Sequence, residues 1–344
     1  MFKRTDYRWP LAALFVLSSP NWAMAAQDDS YPRVSFGGLL EVEAYHASPY
    51  VGDSERDIKL STAELSMEAE VTPWLTGFVS ALYEQDDTPL EIDTAEIAMS
   101  TPDGPWSLRA GQIYLPFGAY ETVMVSDPLT LELGETRQTA VVGGYAQGGI
   151  DLSAYVFSGD LESGDNIGNW GLRAGWVGEP FAGSELALSA GYLNSLGESD
   201  GLEGGIQDAG AGNTSRVAAW TANAVFIFND FLFVGEYLSA LDDFDATAIS
   251  YRNQGARPAA WNLEGSYGFD MMGMPVRAGI GYQGSQESIA LELPEQRLLG
   301  SITFEMHDHA ALSFEYAHDT DYGTSEGGTG KNAGTFTALL AVSF

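Results

Sequence analysis

The sequence predicts an all-β protein, a transmembrane antiparallel β-barrel of about sixteen strands with short periplasmic turns and longer extracellular loops. Three observations predict it: apolar and polar side chains alternate in short segments, short and long connections alternate along the chain, and the chain ends in an alternating segment that finishes on Phe344. Successive side chains of a strand point to opposite faces, so each alternating segment is a strand with one apolar and one polar face.

The alternation is clearest over 63–71, which has the sequence AELSMEAEV. Leu65 and Met67 face one way, whereas Glu64 and Glu68 face the other. A soluble sandwich would bury the apolar face in a core, but a membrane barrel turns that face to lipid and leaves the carboxylates in a wet lumen. The same pattern predicts strands at 34–44, 58–71, 75–84, 90–100, 107–115, 138–145, 149–158, 169–177, 186–194, 216–228, 231–241, 258–269, 275–284, 296–305, 310–319 and 334–344.

The connections between these strands alternate in length, as in outer-membrane barrels. Those after the even-numbered strands are mostly tight, and we interpret them as periplasmic turns: 72–73, 102–105, 147–148, 179–184, 229–230, 272–274 and 307–308. Those after the odd-numbered strands are usually longer and richer in Asp, Glu, Ser and Gly, and we interpret them as extracellular loops: 48–56, 116–137, 160–167, 195–215, 242–257 and 320–332.

The first residues predict export. Lys3 and Arg4, an apolar run at 10–17 and an A-x-A pattern at 23–25 together form a cleavable signal peptide over 1–25. A short periplasmic segment at 26–33 and a barrel over 34–344 would then follow, in the outer membrane of a Gram-negative bacterium. No later stretch approaches the roughly 18 to 20 apolar residues that a transmembrane helix requires, and no second domain is predicted.

The charge balance restricts the function. The chain has 48 acidic and 15 basic residues and a formal net charge of −33, which excludes nucleic acid as a partner. The acidity fits either solvated acidic loops or an electronegative channel. There is no cysteine for disulfides or thiolate metal sites. No G-x-S-x-G, H-E-x-x-H or P-loop pattern supports catalysis, so we expect no enzyme and no cofactor. His307, Asp308 and His309 could touch a metal, but their position in a tight turn favours a turn role and no metal site.

The odd or even position of a residue along its strand, which we call its parity, also predicts which charged side chains line the lumen. They are Arg109, Arg173, Arg277, Arg297, Glu64, Glu68, Glu264, Glu305 and Glu315. Rings of charged side chains decide which ions pass a pore. The acidic excess favours cations, although a local arginine ladder could hold an anionic solute. The alternative is that inward Arg and Glu residues pair with one another and only stiffen the wall.

One run of the chain carries a family resemblance. The segment 109–145, RAGQIYLPFGAYETVMVSDPLTLELGETRQTAVVGGY, together with EVEAYHASPY at 41–50 and LSTAELSMEAEVTPW at 60–74, resembles the LbtU-type siderophore porins of Gram-negative outer membranes. The element at 111–118 is also similar to phosphate-selective porins. The resemblance implies that a ferric siderophore passes through the barrel without the energised plug of larger receptors. Some such porins carry a helical segment before the barrel, which the short stretch 26–33 does not provide.

The resemblance to sixteen-stranded porins also gives a role to the loop at 116–137. It implies that this loop folds into the lumen and narrows the pore. The candidate constriction residues are Glu121, Asp127, Glu132 and Glu135. The alternative is a loop that packs over the mouth of the barrel.

The chain end resembles the C-terminal signature that the barrel assembly machinery recognises, which makes this machinery a partner through Phe344. Outer-membrane lipid and lipopolysaccharide would surround the barrel, and the oligomeric state stays open. Two classes of function remain. The first is a transport channel, with a ferric siderophore as the favoured cargo and general diffusion of small solutes as the alternative. The second is a structural or adhesive barrel that transports nothing.

Overall fold

The protein folds into a closed antiparallel barrel of sixteen strands, which confirms the predicted fold class. The computed structural model describes residues 30–161, 167–210 and 216–344. The predicted signal peptide, 1–25, lies outside the described residues, and so do residues 26–29 of the predicted periplasmic segment. Sequence neighbours pair around the barrel, and the first strand closes on the last.

The barrel strands are β1 Arg33–Ser48, β2 Glu55–Thr72, β3 Leu75–Tyr83, β4 Glu91–Ser100, β5 Trp106–Tyr114, β6 Arg137–Gln147, β7 Ile150–Phe157, β8 Asn169–Gly178, β9 Ser184–Leu193, β10 Ala219–Phe228, β11 Phe231–Ala240, β14 Ala259–Met271, β15 Met274–Gln286, β16 Gln296–His307, β17 Ala310–Thr320 and β18 Asn332–Ser343. The loop between β11 and β14 carries a small hairpin of β12 Ser250–Tyr251 and β13 Gln254–Gly255. Two short helices, α1 Leu129–Gly134 and α2 Asp200–Asp208, lie in other loops, as do the 3-10 turns Leu196–Glu198 and Ile289–Leu291.

The outer wall is apolar because the alternation places one face of every strand outward. Leu65, Leu263, Ile280 and Leu298 are 62%, 55%, 73% and 55% exposed, although each lies inside a strand. Transfer of such a side chain from water to hydrocarbon contributes about 1.5–3 kcal/mol. The outer wall is therefore suited to lipid. In the part of the chain that the structure describes, no helix has the length and apolarity needed to cross a membrane.

The two ends of the chain meet where the barrel closes. Gly38 N–H donates to the carbonyl of Phe344 over 2.8 Å, and Phe344 N–H donates back to Gly38 over 3.0 Å. The Phe344 ring covers Gly38, where an added Cβ would lie 2.5 Å from the ring. A larger residue at position 38 would have to displace this ring. Closure of the barrel also leaves no unpaired strand edge.

Several connections differ from the sequence expectation. β1 and β2 pair as far as Ala47 and Glu55, so the loop predicted at 48–56 shortens to 49–54. The loop predicted at 195–215 contains α2, whose apolar side chains Leu202 and Ile206 are buried. The alternation of side chains does not mark where a strand ends, because backbone pairing continues as long as two strands stay adjacent, whatever side chains they carry.

The inward face is not polar throughout, which corrects the expectation of a uniformly water-filled tube. Inward-facing residues of β5 to β7, β9 to β11 and β14 form an apolar cluster with the loops above them. Its barrel members include Ile113, Val142, Tyr155, Phe157, Leu193, Leu238 and Ala260, and its loop members include Phe117, Leu129, Leu133, Leu202, Ile206 and Phe244. We call β5 to β11 with β14 the packed side, and β15 to β18 with β1 to β3 the open side. The loops fill the packed side because they carry enough apolar surface to cover it.

Candidate functional site

The loop between β5 and β6, residues 115–136, folds into the barrel and bonds to its inner wall. We call it the inner loop. Its first half crosses the wall in an irregular conformation, and its second half forms α1. Three inward carboxylates on different strands, Glu236 on β11, Glu264 on β14 and Glu315 on β17, accept hydrogen bonds from it. The loop is therefore fixed along the wall, from the packed side to the open side.

Glu236 binds the start of the inner loop and is only 3% exposed. The backbone N–H groups of Ala119 and Tyr120 donate to its two oxygens over 2.9 and 3.0 Å. The hydroxyls of Thr130 and Thr221 donate over 2.9 and 3.3 Å. A buried carboxylate is costly unless it is hydrogen-bonded, and four donors here offset its desolvation.

Glu264 binds the next part of the loop. Val123 N–H donates to it over 2.6 Å, and the Thr122 hydroxyl donates over 2.8 Å. The side-chain amide of Asn262 donates to the carbonyl of Glu121 over 3.3 Å, which adds a contact from the same strand. The wall thus satisfies backbone groups that an irregular segment leaves without secondary-structure partners.

Glu315 and Gln283 complete the anchoring toward α1. Val125 N–H and Ser126 N–H donate to the Glu315 carboxylate over 2.6 and 3.1 Å. Leu129 N–H donates to the side-chain oxygen of Gln283 over 3.3 Å. These are mostly charge-assisted bonds, which are shorter and stronger than neutral ones. They define the position of the segment from 119 to 126 within the lumen.

The second half of the inner loop belongs to the packed side. An added Cβ at Gly134 would lie 2.2 Å from Leu238, so α1 packs directly on β11. Asp200 N–H at the start of α2 donates to the carbonyl of Glu135 over 2.9 Å, and Arg137 N–H donates to the Asp200 carboxylate over 3.1 Å. Helix α2 thus holds α1 against the wall.

The four predicted constriction residues separate in the structure. Asp127 lies on the open side and lines a cavity there. Glu121 and Glu135 are half-buried, and Glu132 is exposed, but these three do not line that cavity. The sequence placed them together only because they share one loop.

The electrostatics of the inner loop follow from its enclosed position. Burial, with the nearby carboxylate of Glu236, raises the pKa of Glu121 to about 7. Burial, with Asp200 beside it, raises the pKa of Glu135 to about 8. Burial within the barrel and surrounding carboxylates raise the pKa of Asp127 to about 6. The loop therefore takes up protons at a higher pH than ordinary carboxylates do.

All nine predicted wall charges lie on inward positions. Their sequence neighbours Leu65, Leu108, Leu172 and Leu298 are exposed on the outer face. The inward set is Arg109, Arg173, Arg277, Arg297, Glu64, Glu68, Glu264, Glu305 and Glu315. Glu264 and Glu315 accept hydrogen bonds from the inner loop. Of the nine, Arg277 and Glu305 line the open cavity.

The predicted wall arginines Arg109, Arg173 and Arg297 pair with acidic residues of an adjacent strand, which agrees with the alternative that inward charges pair with one another. Arg297 binds Asp319 through two bonds of 2.8 and 3.0 Å. The ion pairs are Arg109–Glu96, Arg173–Asp151 and Arg297–Asp319. These three ion pairs link neighbouring strands along the wall.

A cavity of about 670 Å³ lies between the inner loop and the open side. Its acidic lining residues are Glu41, Glu43, Glu84, Asp87, Asp127 and Glu305, and its basic ones are Lys59 and Arg277. Five charged residues of this lining were not predicted as site residues: Glu41, Glu43, Lys59, Glu84 and Asp87. The alternation in EVEAY, at 41–45, was the available signal for the first two.

His307 and His309 line the cavity near the turn between β16 and β17. Their ring centroids are 6.2 Å apart, and Asp308 lies between them in the turn, as predicted. No group of three or more metal-ligating side chains occurs within 30–161, 167–210 and 216–344.

The chain is similar in sequence to proteins of two bacteria. No protein-family model matches the chain. A UPF0422 protein of Coxiella burnetii is 28% identical over 315 residues, which cover 88% of this chain and 67% of that protein. A UPF0422 protein of Legionella pneumophila (strain Paris) is 26% identical over 354 residues, which cover 91% and 67%.

Solved structures of outer-membrane channels have a similar fold. OmpF of Salmonella typhi, solved with daunomycin, matches with a TM-score of 0.62 at 11% identity, over 91% of this chain and 98% of that chain. The outer-membrane channel DcaP of Acinetobacter baumannii matches with a TM-score of 0.59 at 14% identity, over 91% and 97%. The fold is therefore that of outer-membrane porins.

Proposed function

We propose that the protein is a passive diffusion channel for small solutes, that solutes pass along the open side of the lumen, and that cations are favoured. The observation that carries the proposal is the cavity of about 670 Å³ beside the inner loop, with six acidic and two Lys or Arg residues in its lining. Carboxylates in a confined aqueous passage raise the local concentration of cations. The inner loop forms the constriction, with Asp127 as its acidic contribution.

Planar-bilayer recording of the purified protein tests this function. We expect stepwise conductance and, across a KCl gradient, a reversal potential of the sign that cation preference gives. A Glu41→Gln, Glu43→Gln double variant should lower the preference for K⁺ over Cl⁻ and keep the channel open. Glu185→Gln, at an exposed position of β9 on the packed side, is the matched control. Absence of conductance steps from folded protein would support the structural barrel instead.

We further propose a ferric siderophore as cargo. The support is the resemblance of 109–145 to siderophore porins and a cavity volume in the range of sites for drug-sized ligands. The acidic lining favours a neutral or cationic ferric complex over an anionic one. Growth of a deletion strain under iron limitation, with one defined ferric siderophore at a time, tests the cargo. Equal growth with and without the gene on every siderophore would leave general diffusion alone.

A further inference from the structure

The inner loop presents an apolar strip to the cavity. Val123, Met124 and Val125 line it, and each is half-buried. The end of the Met124 side chain packs on β15, where a Cβ added at Gly279 or Gly281 would lie 3.1 or 3.3 Å from its methyl carbon. The two glycines make room for this side chain. The strip is therefore held against the wall and is not a freely moving tip.

The barrel wall beside this strip is also apolar. Ala311 of β17 pairs with Ala341 of β18, and on the next inward level Ser313 pairs with Leu339. All four residues line the cavity. Small and apolar side chains thus continue from the loop onto the wall. A passing solute meets this surface over a substantial part of the cavity.

The carboxylates begin directly beside this apolar wall. Ala341 pairs with Glu41, and Leu339 pairs with Glu43, both on β1. Lys59 pairs with Glu43 in the strand register, but its ammonium lies over the Tyr45 ring, 5.9 Å from the ring centre. An apolar surface and an acidic edge therefore share one cavity.

We infer that this cavity binds amphipathic organic cations, such as a primary ammonium with a short alkyl or aryl group, during their passage. The inference rests on the proposed diffusion function. A hydrated inorganic cation gains only a screened attraction to the carboxylates. An alkylammonium can place its charge beside Glu41 and Glu43 and remove its hydrocarbon part from water against Met124 and Leu339.

Single-channel recording with a series of n-alkylammonium ions, from ethyl to hexyl, at constant KCl tests the inference. Each ion that binds interrupts the current, and the length of the interruptions reports residence in the cavity. Complete burial of a methylene would lengthen residence about fourfold, so we expect about twofold per methylene in a partly open cavity. Ethanolammonium and hexanol, which lack the apolar tail and the charge respectively, should give brief interruptions or none.

Paired variants assign the binding to the two surfaces. Met124→Ser should reduce the dependence on chain length, whereas Met272→Ser, at a fully exposed turn methionine, should not. Glu43→Gln should shorten the interruptions by all the ammonium ions, whereas Glu185→Gln should not. The series on the unmodified protein needs no variant to fold. A conducting channel whose interruptions do not lengthen with the alkyl chain would overturn the inference and leave the diffusion function standing, whereas absence of conductance would overturn the diffusion function itself.

Discussion

The packed and open sides of the barrel interior share one strand pattern, but their inward-facing residues differ. They fill the interior on the packed side and leave a cavity on the open side. On the packed side, Leu193 and Leu238 are fully buried among loop residues. On the open side, the corresponding inward positions hold small side chains such as Ala311 and Ser313, or carboxylates such as Glu43. The outer faces of both sides are apolar alike. The apolar outer wall and the shape of the lumen are therefore encoded on opposite faces of the same strands.

The inner loop connects the two sides. Its helix α1 packs on the packed side, whereas its segment from 122 to 126 crosses to the open side on Glu264 and Glu315. Anchoring by carboxylates fixes an irregular backbone without filling the lumen with further side chains. The inner loop is thus attached to both sides of the barrel interior.

Removal of the Glu236 carboxylate should have the largest effect on stability. Glu236→Ala leaves four donors without their acceptor in a dry site, and unsatisfied buried donors cost about 1–3 kcal/mol each. We expect the free energy of unfolding in detergent micelles to fall by about 4 kcal/mol, measured by denaturant titration. Glu185→Ala is the control. A loss below about 1 kcal/mol would mean that the loop is held by apolar packing alone.

A cavity on the packed side should destabilise the protein without changing the pore. Leu238→Ala removes a fully buried side chain that contacts α1, and we expect a loss of about 3 kcal/mol. Leu241→Ala, at a partly exposed loop position, should cost less than about 0.5 kcal/mol. Single-channel conductance of Leu238→Ala should equal that of the unmodified protein. A rise in its conductance would show that ions also cross the packed side.

A bulky residue on the open side should reduce conductance without destabilising the protein. Leu339→Trp places an indole in the cavity, so we expect conductance to fall roughly twofold with little change in stability. Leu340→Trp, at the adjacent outward and lipid-facing position, should leave conductance unchanged. Equal conductance of the two variants would contradict the inward assignment of Leu339.

The smallest effect concerns pH. As pH falls through about 6, Asp127 becomes protonated, and we expect a modest decrease in cation preference. The decrease is measured as a change in reversal potential and should be absent in Asp127→Asn.

A second pH effect concerns stability. The pKa values of Glu121 and Glu135 are raised to about 7 and about 8 from an ordinary 4.5, so between pH 4.5 and about 8 the folded protein binds protons more strongly than the unfolded chain. Stability should therefore rise as pH falls from about 8 toward 4.5. Unfolding that becomes easier on acidification within this window would contradict the assignment.

Much of the fold and part of the candidate site could be predicted from single residues. Parity placed Arg277 and Glu305 on the inward face, because a period of two is a property of the strand itself. Glu236 was missed, although it is the only charged residue in β11. A lone carboxylate in an apolar strand indicates an inward position, but its role depends on a loop 116 to 117 residues away in the chain.

The sequence by itself determined the antiparallel barrel, its sixteen strands and the apolar outward face of each strand, because these follow from local alternation. Only the tertiary structure decided that the inner loop crosses on Glu236, Glu264 and Glu315, that one side of the interior is packed, and that Asp127 alone among the predicted loop acids reaches the open cavity. These features arise from contacts between residues 106 to 190 positions apart, which no local pattern encodes.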